Sequence, residues 1–299
     1  MDTAITFGND TLKIVRGGIR GGRVSINHYE TVRLPEGVLV NGIITDEERL
    51  QEVLRDLRQR KVIDSSVRLS IDSSDILAKT LDVPYLREAE LLETVRQEFD
   101  GLGSSDEMIY DYAVLQESDP EQKNGRILCC AMSQPLLDSY LAVFKAAKLQ
   151  IKSADTVLNC VLKAITLLPE LANGRFVLSF VRRNLMSCFL FADGQFLLSN
   201  RAALSSEPES EEYISEAVGR LSTMNQFYKA QKGDVTIEHA YFSELDHETF
   251  ERFRAAGSYL GIPIENLPES REIICRKENP EEPFTFHNYL AAIGCLLRR

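Results

Sequence analysis

The chain has 299 residues, 44% hydrophobic and 26% charged, with a formal net charge of −11. That length supports a substantial core and two domains rather than one. The acidic balance argues against nucleic acid as a main partner, and no apolar run approaches the ~18 residues of a membrane-spanning helix.

The charge is unevenly placed. The first sixty residues carry 9 acidic and 9 basic side chains, whereas Ser205 to Glu282 carries 17 acidic and 8 basic. Such a surface keeps a protein soluble and can attract a basic segment. Six cysteines, at 129, 130, 160, 188, 275 and 295, form neither a C-x-x-C pair nor a metal spacing. Most sit in apolar runs, as buried reduced thiols do. The opening residues lack a charged-then-apolar leader, so a cytosolic chain is expected.

In chain order, Ala4 to Arg16 reads as two short apolar runs joined by Gly8-Asn9-Asp10-Thr11, a β-hairpin. Gly8, Asn9, Thr11 and Lys13 are the candidate residues for a phosphate ligand there, since turn N–H groups and a lysine suit an anion. Arg23 to Leu34 is a third strand. Thr45 or Asp46 caps a helix from Glu47 to Arg60, with Leu50, Val53, Leu54 and Leu57 at helical spacing. Strands follow at Val67 to Ile71 and Ile76 to Val83, then a helix from Glu88 to Asp100 and strands at 108–115 and 126–132. A helix from Gln134 to Lys148 and the segment 151–157 complete a compact α+β stretch.

Asn159 to Leu168 is helical. Three strands, Phe176 to Val181, Met186 to Ala192 and Gln195 to Asn200, repeat the opening meander and suggest an internal duplication. A helix from about Glu211 to Gln231 carries a core stripe that includes Ile214, Leu221 and Tyr228. A strand at Val235 to Phe242, a helix from His247 to Leu260, a strand at Ile262 to Leu267, a loop over 268–283 and an apolar final helix close the chain.

Catalytic alternatives are thin. His28, His239, His247 and His287 lie far apart with no paired-ligand spacing. No G-x-S-x-G, H-E-x-x-H or G-x-x-x-x-G-K-[ST] motif occurs. Nothing in the sequence brings Glu98 and Asp111 to working distance, and Asp72 and Asp75 belong to a turn-like Asp-Ser-Ser-Asp.

The stretch A-I-T-F-G-N-D-T-L-K resembles the first phosphate hairpin of actin-like ATPases, in the form carried by the PilM-type type IV pilus assembly proteins, relatives of FtsA. Leu81-Asp82-Val83-Pro84, Glu98, Asp111 to Leu115 and Asp155 resemble that family's middle segment, Arg201 its third-strand arginine, and Ala292 to Arg298 its ending. The resemblance implies an α/β actin-like fold of two duplicated halves. The first would be 1–75 with 151–172, to which the C-terminal helix returns. An inserted α+β subdomain, termed 1C, would be 76–150, and the second half 173–299.

The departures are specific. The acid that organises Mg²⁺ and the attacking water falls on Thr6. The second hairpin's D-I-G falls on Ser179-Phe180-Val181, and the adenosine Gly-Gly pair on Phe242-Ser243-Glu244. The resemblance therefore implies a pseudo-ATPase with no catalytic residue and no metal, for which Mg-ATP would be at most a weak ligand. It also implies a scaffold at the inner face of the cell membrane, reaching the membrane only through its partner and with self-association left open. That partner would be a PilN-like inner-membrane protein, its cytoplasmic tail bound in a groove between subdomains 1A and 1C. Ile76 to Val83 with the helix from Glu88 to Asp100 is the region expected to hold it. The rival readings are an active actin-like ATPase or sugar kinase, which needs acids at both hairpins, and an FtsA-like filament protein, which usually ends in a membrane-binding helix.

Overall fold

The computed structural model describes every residue except 9, 102–106, 119–123, 209, 233–234, 278, 280–281 and 298–299. The chain divides into two compact units, Met1–Gly17 with Tyr29–Cys160 and Gly18–His28 with Val161–Leu297.

In the first unit, β1 (Asp2–Phe7) and β2 (Thr11–Arg20) form the hairpin in antiparallel register from Asp2↔Gly17 to Phe7↔Leu12. Ala4 to Phe7 and Leu12 to Val15 are buried without a break, Lys13 included, so both faces of the pair are covered. β3 (Arg23–Arg33) follows through Gly21 and Gly22. A small hairpin not recognised in the sequence, β4 (Leu39–Val40) with β5 (Ile43–Ile44), turns through Asn41 and Gly42 at φ 51° and 77°. Two successive positive φ values suit Asn-Gly and match the twist of a tight hairpin. Helix α1 (Glu47–Gln59) starts at Asp46, whose carboxylate accepts from the Arg49 N–H at 3.0 Å, and buries Leu50, Leu54 and Leu57.

β6 (Ser66–Ile71) runs parallel to β1. Then β7 (Ile76–Val83), α2 (Glu88–Glu98), β8 (Met108–Gln116) and β9 (Gly125–Ser133) build a three-stranded antiparallel sheet, order β7-β9-β8. Val95 and Phe99 pack on one face of it, against Val83, Ile127, Cys129 and Ala131. α3 (Gln134–Ala146) places Tyr140, Val143 and Phe144 in the same core as the α1 leucines and Phe7. β10 (Gln150–Thr156) returns parallel to β6 as an edge strand, giving the order β10-β6-β1-β2-β3.

α4 (Val157–Ile165) leads to β11 (Arg175–Arg182), β12 (Leu185–Ala192) and β13 (Gln195–Ala203), an antiparallel meander. α5 (Glu211–Lys232), β14 (His239–Ser243), α6 (His247–Gly257) and β15 (Ile264–Asn266) follow. β14 is parallel to β11, and β15 to β14. Read outward from each meander, the two sheets are β3-β2-β1-β6-β10 and β13-β12-β11-β14-β15. Three antiparallel strands followed by two parallel ones occur in both, which is the internal duplication.

Other stretches differ from the sequence reading. The strand expected from Val235 begins only at His239, because the Ile237 N–H goes to the α5 side chain of Asn225 at 3.1 Å instead of to a neighbouring strand. The loop at 268–283 contains β16 (Ile273–Cys275), parallel to β3 from Ile273↔Val24 to Cys275↔Ile26 and too short to show an alternation. The final helix is a 3-10 turn, His287–Tyr289, followed by α7 (Leu290–Leu296). All seven α7 residues are buried, so it carries no polar face.

Candidate functional site

At the β1–β2 turn the Gly8 N–H donates to the Thr11 carbonyl at 2.7 Å, closing the turn on itself. Asn9 lies outside the described residues. Lys13, opposite Thr6 in the hairpin, is only 8% exposed. Thr6 Oγ1 and Ser70 Oγ share a 2.6 Å hydrogen bond, and both residues are buried. The position aligned with the family's acid is therefore a closed pair of neutral hydroxyls between neighbouring parallel strands.

In the second unit Ser179 is fully buried, its Oγ 3.5 Å from Cys188 Sγ, and burial pushes that thiol up to about 11. Phe242 is opposite Ser179 in the parallel pair and sits in the core, its ring 4.9 Å from that of Phe253. Glu244 forms a two-pronged ion pair with Arg182. Among the described residues no three His, Cys, Asp or Glu side chains gather as a metal site. These residues do not fit a Mg-nucleotide: the aligned acid positions hold neutral hydroxyls, and the stretch aligned with the glycine pair holds a core ring, a buried serine and a carboxylate.

The three-stranded sheet builds a different site. Strand alternation sends Leu77, Leu81 and Val83 toward α2 and leaves Ile76, Ile109, Leu128, Cys130 and Met132 for the opposite face. That face, β10 and the start of α4 enclose a cavity of about 330 Å³ lined mainly by apolar surface. Of the region expected to hold a partner, Ile76 lines the cavity and α2 covers the other face.

The polar wall comes from β10. Its register slips between Ile151 and Ser153, a bulge at Lys152. Lys152 Nζ is tied to Asp2 at 2.8 Å, and Arg68 holds the same carboxylate at 2.9 Å. The hydrogen bond from Lys152, with that from Arg68, keeps the Asp2 carboxyl below its usual range against the opposing effect of burial. Ser153 Oγ is buried in the wall and makes no hydrogen bond among the described residues. Asp155 accepts from the Thr156 N–H at 2.8 Å and from Asn159 Nδ2 at 2.9 Å, fixing the junction into α4. Burial, with the Asp155 charge adding to it, pushes the Cys130 thiol up to about 12.

The remaining candidates separate. Glu98 pairs with Lys79 on the α2 side of the sheet, whereas Asp111 lines the cavity on the other. Ser73 organises the Asp72–Asp75 turn by accepting the Asp75 N–H at 3.2 Å. His239 is bound to Glu265 at 3.1 Å on an exposed edge. The cavity itself has no local sequence signature, because strands far apart in the chain form it.

Comparison with solved structures gives the fold. A structure titled "PilM-PilN type IV pilus biogenesis complex" superimposes with a TM-score of 0.81 at 16% identity, covering 99% of this chain and 97% of the other. A Bacteroides thetaiotaomicron protein of actin-like ATPase fold and unknown function matches at TM-score 0.56 and 12% identity, over 100% and 96% of the two chains. The cytoplasmic domain of EpsL, an inner-membrane component of the Vibrio cholerae type II secretion system, matches at 0.50 and 10% identity, over 99% and 95%. No curated protein sequence matches. The fold is thus the actin-like ATPase fold, as the hairpin motif implied. The family model described as type IV pilus assembly protein PilM matches residues 4–180, more than half of the chain, and the chain belongs to that family.

Proposed function

We propose that this chain is a scaffold of type IV pilus assembly that holds the cytoplasmic tail of a PilN-like inner-membrane protein and does not hydrolyse ATP. The observation that carries the reading is the cavity between the three-stranded sheet and β10, an apolar floor beside the strand that ends its sheet among the described residues. An extended peptide can add beside an end strand of a sheet, with alternate apolar pockets selecting its side chains. The structural relative named as a PilM–PilN complex supports a partner of this kind. Segment 76–150 would act as the inserted subdomain that supplies the cavity floor. The protein would work at the inner face of the membrane through this partner; no helix among the described residues is long and apolar enough to cross one.

Absence of hydrolysis is supported by Thr6 and Ser179, neutral and buried where the reaction needs carboxylates to order metal and water. Calorimetric titration with the N-terminal peptide of the PilN-like protein tests the binding half of the reading. Met132→Glu and Ala154→Trp, which place charge and bulk in the cavity, should each weaken that peptide at least about tenfold, or ~1.4 kcal/mol, with the circular dichroism spectrum unchanged. Unaltered affinity in both variants would move the partner site elsewhere.

A further inference from the structure

The disagreement between this chain and a nucleotide site has a structural form of its own at the ends of β11 and β14. These strands are parallel neighbours, paired through Phe180↔Ser243, and Arg182 and Glu244 stand at and just past their C-terminal ends. In open α/β sheets that edge is where ligands bind. Here it is filled from within. Arg182 donates from Nε and Nη2 to the two oxygens of Glu244, each at 2.9 Å, with side chains only 9% and 6% exposed. The guanidinium also lies over the Phe180 ring at 5.2 Å. Glu244 has φ +68°, in the left-handed region that favours glycine. The preceding Ser243 is buried and donates to the His287 carbonyl, which fixes the backbone leading into Glu244.

A guanidinium takes a carboxylate and a phosphate by the same planar fork, and once buried it requires one of them. We propose that Arg182 is the centre of an anion site whose occupant is the chain's own Glu244 carboxylate, held there in place of a phosphate-bearing ligand. The proposal rests on the reading that the protein works without nucleotide, and it assigns the residue that closes the site. Glu244→Gly should then leave the backbone relaxed at φ +68° and hand Arg182 to a phosphate from solution.

The experiment is thermal unfolding of the full chain as wild type, Glu244→Gly, Glu244→Gln and the double variant Arg182→Met/Glu244→Met, in chloride, with inorganic phosphate and with Mg-ATP. In chloride, Glu244→Gly should melt about 5–10 °C below wild type. Phosphate at tens of millimolar should recover at least half of that loss. Glu244→Gln, which keeps the side-chain shape, should show the same phosphate dependence. Wild type and the double variant should show only the small common rise that phosphate gives any protein. Phosphate and ATP acting equally would mark a site for the phosphate group alone, and a larger effect of ATP would mark one that also accepts a nucleoside; either supports the proposal. If neither single variant gains more than wild type from phosphate or ATP, the proposal is overturned. If wild type itself is stabilised by Mg-ATP, the nucleotide-free reading fails, whatever the variants do.

Discussion

Thr6 shows how one side chain can alter what a motif means. The hairpin around it retains the turn, the glycine and the lysine, but the aligned acid is a hydroxyl bonded to Ser70 between two buried strands. Thr6→Asp would place a carboxylate in a buried position beside a hydroxyl. A loss of about 3 kcal/mol in urea unfolding is expected, in line with an uncompensated buried charge. Asp2 works in the opposite sense. Its carboxyl is held below the usual range by Lys152 and Arg68, so its stabilisation is present above the unfolded pKa of about 3.9 and is lost as pH falls through the lower folded value. Asp2→Asn should cost up to about 1 kcal/mol at neutral pH. The gap to wild type should close below about pH 4, read from urea midpoints across a pH series. Cys130, at about 12, is almost wholly thiol at pH 8. Its alkylation, followed by peptide mass spectrometry, should run at least ~100-fold slower than that of a free cysteine peptide.

Elements divide by how locally they are determined. Helix α1 is written in its own residues, an Asp cap followed by leucines at helical spacing, and the structure has it from Glu47 to Gln59. The hairpins at 4–16 and 185–203 are equally local, since turn residues and apolar runs specify them. β16 is not local; three residues become a strand only because β3 offers an edge. Helix α3 reads as amphipathic, but which sheet takes its apolar face is decided by packing against Phe7 and the α1 leucines. The β4–β5 hairpin carried an Asn-Gly signal, and its position is fixed from outside. Tyr140 Oη donates to the Gly42 carbonyl at 2.8 Å, and a Cβ on Gly42 would lie 2.0 Å from the Asp72 carbonyl oxygen. Gly42→Ala should cost about 2–3 kcal/mol, from the strain of a left-handed alanine plus that overlap. Tyr140→Phe should cost about 1 kcal/mol, both read by chemical denaturation.

For the whole molecule, the duplicated sheet order explains why the sequence disclosed the fold more readily than the site. A fold repeated twice leaves two meanders and two sets of turns, each with its own periodicity. The candidate site leaves none of these. Its cavity depends on which face of the three-stranded sheet α2 covers, and Leu77 and Cys130 alternate alike in sequence whichever face is buried. The neutral residues at 6 and 179 were legible one by one, whereas the ion pair between Arg182 and Glu244, 62 residues apart, was not. The chain belongs to the PilM family, and its use of the actin-like fold as a frame for a partner is the proposal to be tested. The most direct test is a paired calorimetric titration of the purified protein, one cell receiving the N-terminal peptide of the PilN-like partner and the other Mg-ATP. Saturable peptide binding, abolished or weakened by Met132→Glu, and no heat or turnover from Mg-ATP are the expected results of a scaffold that works without nucleotide. Tight ATP binding with phosphate release, or a peptide that binds equally well to Met132→Glu, would contradict it.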